Sequence, residues 1–284
     1  MIYISTSCVK HNQIKNSVLE LVNSGFKNIE LSGGTEYYHG FEDELLELKD
    51  KYNLNYICHN YFPPPKEHFV LNLASLDNKV YNKTLKHLKN AIILSKKLGA
   101  KKFGFHAGFF VDIKVNEIGK KISKNDLFDR EKSIKRFCEG FKKLESIAND
   151  IDLYIENNVF SFTNAQTYNN KNLFMLTNSF EYKELRKMIN FRLLLDIAHL
   201  KVSSQTLNLN FEDELCLIDR SDYIHISDND GLHDLNHQVT KNSSLVRLLK
   251  KQKLQDKLIT LEIYDTLDTV KKTYRILEDI INDI

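Results

Sequence analysis

Residues 192–199 read RLLLDIAH, three leucines closed by a carboxylate at Asp196. An apolar run this short and unbroken is what a β-strand covered on both faces looks like, because neither side needs polar residues for water. Working outward from it, the same kind of run recurs as YICHN at 56–60, FGFH at 103–106 and LITLEI at 258–263. With these as anchors the chain yields eight expected strands. They are Ile2–Thr6, Asn28–Leu31, Tyr56–His59, Lys102–His106, Leu153–Asn157, Arg192–Asp196, Tyr223–Ser227 and Leu258–Ile263.

Between the strands lie segments with apolar residues three and four apart, the spacing of one helix face. Asp77–Leu98 is the clearest: Val80, Leu85, Leu88, Ile92, Leu94 and Leu98 recur, and Gly99 supplies the stop. Gln13–Ser24, Phe128–Ala148, Tyr182–Ile189, Phe211–Ile218, Ser243–Lys250 and Leu267–Ile281 read similarly. Strands alternating with helices indicate right-handed βαβ units and a parallel sheet. Eight units in 284 residues fit a closed (β/α)8 TIM barrel, which typically needs about 250 residues. No linker or low-complexity segment divides the chain, so residues 1–284 are expected to form one domain. Two connections after strands are long, Ala107–Leu127 with its lysines Lys114, Lys120, Lys121 and Lys124, and the Asn-rich Asn158–Phe180. Both fall on the face where barrels place their chemistry, the position of a lid or substrate wall.

Charge narrows the partners. Basic and acidic residues nearly cancel, 40 against 38, for a formal net charge of +2, so no global field points to nucleic acid or a membrane surface. Cys8, Cys58, Cys138 and Cys216 are far apart and lack CxxC spacing, which argues against a disulfide framework or a thiolate zinc site. The start, MIYISTSCVKH, carries no basic-then-apolar leader, and no apolar run approaches the ~18 residues of a membrane span. The expectation is a soluble cytoplasmic protein. Its oligomeric state is open.

The polar residues at the strand ends carry the chemistry. His59, His106, Glu156, Asp196, His225 and Glu262 interrupt or close six successive apolar runs. A single such histidine is ordinarily a satisfied core residue, but a buried unpaired carboxylate is expensive. Closing the sheet would turn all six toward one axis, and a divalent cation is the natural way to neutralise the resulting cluster. His199 follows Asp196 by three residues, where the strand gives way to a loop. Beyond His225 the run ISDNDGLHDLNH adds Asp228, Asp230, His233, Asp234, Asn236 and His237, expected to form a substrate wall or an auxiliary metal site.

In their order, CHNY, GFHAG, IENN, DIAH, HISDNDG with Asp234, and LEI resemble the xylose-isomerase-like barrel superfamily, which includes sugar isomerases, sugar epimerases and endonuclease IV. The resemblance covers nearly the whole chain. It implies that Glu156, Asp196, His225 and Glu262 hold a divalent ion (Mn, Mg, Co or Zn), and that Glu156 and Glu262 move protons on opposite faces of a substrate. His59, His106, His199 and Asp234 would then bind substrate. The implied activity is isomerisation or epimerisation of a sugar or sugar phosphate through a metal-stabilised enediolate. The alternative is an endonuclease IV-like phosphodiesterase acting on abasic DNA, for which His59 and His106 match further metal ligands. Against the nuclease, Asn236 stands where its strand-7 loop carries a histidine, with His237 one place out of register, and no run of arginines is present to grip DNA. A non-catalytic sugar-binding barrel is the third class. Intact carboxylates at both proton-transfer positions speak against it.

Overall fold

The computed structural model describes residues 1–282; the last two residues of the expected 1–284 domain lie outside the described residues. Eight short strands form the sheet: β1 Ile2–Ser5, β2 Asn28–Leu31, β3 Asn55–His59, β4 Lys102–His106, β5 Asp152–Glu156, β6 Arg192–Asp196, β7 Tyr223–Ile226 and β8 Leu258–Leu261. They pair in parallel in chain order, and β8 returns to β1 to close the barrel. Every strand expected from sequence is present, with bounds that differ by at most two residues.

Among the described residues ten α-helices accompany them: α1 Ile14–Asn23, α2 Phe41–Tyr52, α3 Asn78–Lys97, α4 Arg130–Glu145, α5 Phe162–Thr167, α6 Ser179–Met188, α7 Ile197–Thr206, α8 Phe211–Glu214, α9 Ser244–Leu249 and α10 Leu267–Asn282. The long helix α3 shows why its limits were readable. The Asp77 side chain accepts from the Lys79 amide at the start, and beyond Leu98 the chain turns at Gly99 with φ +75°. The expected helix Phe211–Ile218 is instead α8 followed by a 3-10 turn, Leu215–Arg220. Among the described residues no helix is long and apolar enough to cross a membrane. All four cysteines are free, and Cys8, Cys58 and Cys138 are buried.

Two regions of core matter for the site. The amino-terminal part of the barrel interior is filled by Tyr3, Ile57, Tyr154, Leu194 and Tyr223, with Leu258 packed against them. Gly104 of β4 makes room for this filling: a Cβ there would stand 2.7 Å from Leu194 Cδ2. On the opposite face the two long loops build a small core of their own from Phe109, Val111, Ile122, Phe160, Tyr168 and Phe174. Phe109 and Phe174 form an isolated antiparallel bridge, so the polar, Asn-rich connection is braced against its neighbour as a wall. Asn158 reinforces that wall by donating to the carbonyls of Ala107, Gly108 and Met175 at 3.0–3.1 Å.

Candidate active site

Side chains alternate along a strand, so two residues beyond an inward-facing position lies the next inward-facing one. In this barrel that step changes chemistry. Ile57 is followed by His59, Tyr154 by Glu156, Leu194 by Asp196 and Tyr223 by His225. Parallel register sets these ends level, His106 opposite Glu156 and Asp196 opposite His225. Glu262 sits just past the end of β8, its amide donating to Ile226 O at 3.4 Å.

The four residues expected to hold a metal converge. His225 Nδ1 lies 3.6 Å from Glu156 Oε1, 4.0 Å from Asp196 Oδ2 and 3.4 Å from Glu262 Oε2. The neighbours of each carboxylate aim it. Asp196 Oδ1 caps α7 by accepting from the His199 amide at 2.7 Å, which leaves Oδ2 turned to His225. Glu262 Oε1 accepts from Ser7 Oγ at 3.2 Å and Tyr264 Oη at 2.8 Å, which leaves Oε2 turned the same way. Asn157 clamps the end of β6 through Asp196 N and O, at 2.7 and 3.0 Å.

The substrate candidates surround this cluster. His59 Nε2 is 2.6 Å and His106 Nδ1 3.2 Å from Glu156 Oε2. His199 lies inside α7 and not in a loop, since Asp196 starts that helix directly. Its Nδ1 donates to Asn157 O at 2.9 Å, and Nε2 faces Asp234 Oδ2 at 3.5 Å. Glu156, Glu262, His59, His106, His199 and Asp234 all line one cavity of about 910 Å³. Asp196 and His225 are buried beneath them.

Among the described residues the acids and histidines of the strand-7 loop form no group of three that could hold a metal. Asp228 accepts from Lys201 Nζ at 2.6 Å, and Asp230 pairs with His233 at 2.8 Å in an exposed position. His237 turns to Asp265 at 3.1 Å, while Asn236 is buried and accepts from Ser227 Oγ at 3.1 Å. Of this run Asp234 meets His199 at 3.5 Å, and His233 and Asn236 line the same cavity beside it. Sequence reading also missed Glu30 on β2, whose side chain is fully buried against His225, Tyr223 and Thr260.

Charge distribution follows from the packing. Burial pushes the Asp196 carboxyl up, reinforced by the charges of Glu156 and Asp234. Burial acts the same way on Glu262, but the close approach of His225 and the charges of His225 and His59 outweigh it and hold the carboxyl at about 2. Burial works against the charged form of His225, yet Glu30, Glu156 and Glu262 draw it well above the usual imidazole range. Glu262 is therefore in its proton-accepting form at neutral pH.

The donor set fits a divalent ion. Three carboxylates and one imidazole are oxygen and nitrogen ligands of the kind Mg, Mn, Co and Zn accept. More telling, Glu156 Oε1 and His225 Nδ1 are buried and make no hydrogen bond within the protein. Unpartnered buried atoms cost stability, and these point at one another across a gap that a cation would fill. Glu156, Asp196 and His225 have ligand atoms within 4.8 Å of one another, as do His59, His106 and Glu156.

Fold and cluster together define a (β/α)8 barrel with a carboxylate–imidazole centre on its carboxyl face. More narrowly, the chain belongs to the xylose isomerase-like TIM barrel family, whose model matches residues 18–280. The uncharacterized protein MJ1614 of Methanocaldococcus jannaschii is 24% identical over 219 residues, covering 77% of this chain and 73% of that one. Among solved structures, a D-tagatose 3-epimerase-like protein superposes with a TM-score of 0.73 at 18% identity, over 99% of this chain and 98% of the other. Endonuclease IV from Thermus thermophilus superposes with a TM-score of 0.61 at 14% identity, over 100% and 99%. At such identities the likeness to these structures is one of fold.

Proposed function

We propose that the protein is a divalent-metal-dependent isomerase or epimerase of a sugar or sugar phosphate, with Glu156, Asp196, His225 and Glu262 as the metal ligands. One observation carries this reading. Glu156 and Glu262 flank His225 Nδ1 at 3.6 and 3.4 Å, and both open into the same substrate-sized cavity. A C–H beside a carbonyl is a weak acid, so its removal needs a base held close and a counterpart to return the proton. A divalent cation, when bound, would polarise the substrate's carbonyl and neighbouring hydroxyl oxygens. Glu262 accepts the proton at Oε2 or delivers it there, with Ser7 and Tyr264 holding Oε1 so that the carboxylate cannot swing away. Glu156 performs the reverse transfer from the other side. His59, His106, His199 and Asp234 hydrogen-bond the substrate's hydroxyls and set its orientation.

A second reading rests on His59 and His106, both within 3.2 Å of Glu156 Oε2. That group could hold a further cation, and phosphodiester hydrolysis gains from more than one metal. Asn236 and His237 favour the first reading, because one is committed to Ser227 and the other to Asp265. The test is proton exchange: Mn-loaded protein incubated in deuterated water with a panel of ketoses and their phosphates. The proposal expects deuterium beside the carbonyl together with an isomeric product. Incision of abasic DNA with no exchange into any sugar would contradict it.

A further inference from the structure

Glu30 stands behind the cluster, in the middle of the apolar run Asn28–Leu31, and is fully buried. Its Oε2 lies 2.9 Å from His225 Nε2 and accepts from Thr260 Oγ1 at 2.9 Å and from the Tyr223 hydroxyl. On the far side of the same ring, His225 Nδ1 has no hydrogen-bond partner and faces the three carboxylates. We infer that Glu30 is a positioning residue for the metal site, fixing the ring of His225 so that Nδ1 presents its lone pair to the ion. The inference rests on the reading that the cluster binds a divalent cation.

The chemistry is that of a neutral imidazole with one N–H. Oε2 already takes the hydroxyls of Tyr223 and Thr260 and so faces Nε2 as an acceptor; when a cation occupies Nδ1, the one N–H left on the ring of His225 is therefore the one on Nε2 beside Glu30. The lone pair is then on Nδ1, the only ring nitrogen within 4.0 Å of Glu156, Asp196 and Glu262 together. Holding the N–H against a carboxylate also makes the opposite nitrogen a stronger donor to a metal. A glutamate buried this completely is costly, and a hydrophobic residue of similar volume would fill the space at less expense. Packing alone therefore gives no reason for it. The other oxygen of this carboxylate, Oε1, is buried without a hydrogen-bond partner and lies 3.9 Å from His59 Nδ1, whose Nε2 meets Glu156.

The test is zinc affinity, measured by competition with a chromophoric chelator, on wild type and on Glu30→Gln. Glutamine keeps the shape but loses the charge and introduces an N–H pair beside the ring. The expected result is zinc binding weaker by about 10–100-fold in a variant that still melts cooperatively. Leu194→Ala is the control, since it weakens packing at the amino end of the barrel without touching His225 and is expected to leave zinc affinity unchanged. Equal affinity in wild type and Glu30→Gln overturns the inference and leaves the site reading standing. A wild-type chain that binds no zinc overturns both. Should Glu30→Gln fail to fold, nitrogen-15 NMR of the zinc-loaded wild type decides. A proton on His225 Nε2 shifted downfield by a strong hydrogen bond supports the role, and zinc on Nε2 with the proton on Nδ1 refutes it.

Discussion

The two ends of the barrel interior are built from the same strands and obey different rules. At the amino end Ile57, Tyr154, Leu194 and Tyr223 interlock; Tyr154 donates to Asp222 at 3.1 Å and Tyr223 to Glu30. One inward step along each strand, His59, Glu156, Asp196 and His225 take their places, and His59 Nδ1, Glu156 Oε1 and His225 Nδ1 are left buried without a partner. Folding needs the first arrangement and is opposed by the unpartnered atoms of the second. The contrast teaches that the carboxyl end is kept for something it binds, and that its cost is carried by the packing beneath.

The contrast can be broken from either side. Glu262→Gln should lower turnover by about 10³-fold, because it removes the proton acceptor and keeps the shape, in a variant that still melts cooperatively. Comparable turnover with metal still bound would make Glu262 a ligand only. Leu194→Ala should do the opposite. Leu194 is fully buried, so its truncation should cost about 3–4 kcal/mol in a denaturant titration. A loss of metal affinity in that variant would show that the two ends are not separable.

His87 on α3 sharpens the comparison from outside the barrel. It too is a buried histidine, but no carboxylate faces it; burial pushes its pKa down to about 4, partly offset by the backbone of Asn60. As pH falls below about 6.5 the unfolded chain takes up this proton first, so stability is full above that value. It is lost progressively down to about pH 4, by at most about 3 kcal/mol, and is flat below. The clustered imidazoles of His59 and His225 shift the other way, because Glu156 and Glu30 outweigh their burial. Thermal melts of wild type and His87→Gln across this range test the assignment; parallel pH curves would contradict it.

The strands were legible because burial on both faces leaves a continuous apolar run, and Asn28–Leu31, Lys102–His106 and Arg192–Asp196 match residue for residue. The polar residues at the strand ends were legible for the same reason, since a carboxylate or imidazole is conspicuous against such a background. The helix α7 was not. Ile197, Ala198, Leu200, Val202, Ser203 and Ser204 are all buried, so no wet face leaves a period to detect. Helix α2 does carry a signal, Phe41, Leu45 and Leu48 at four- and three-residue spacing, but crowded charges obscure it. Glu30 was invisible for a different reason. One acid in a four-residue run reads as ordinary alternation, and its partners lie 193 to 230 residues away.

The central claim is that the carboxyl end of this barrel holds a divalent cation between Glu156, Asp196, His225 and Glu262. Elemental analysis of the purified chain beside its His225→Ala variant tests it most directly, with sugar exchange and abasic-DNA incision assayed on the same preparation. The account predicts one tightly held ion per chain, two at most if His59 and His106 take a second, and loss of the tight ion in the variant. No bound metal in the wild type, or three zinc ions per chain with incision of abasic DNA, would contradict it.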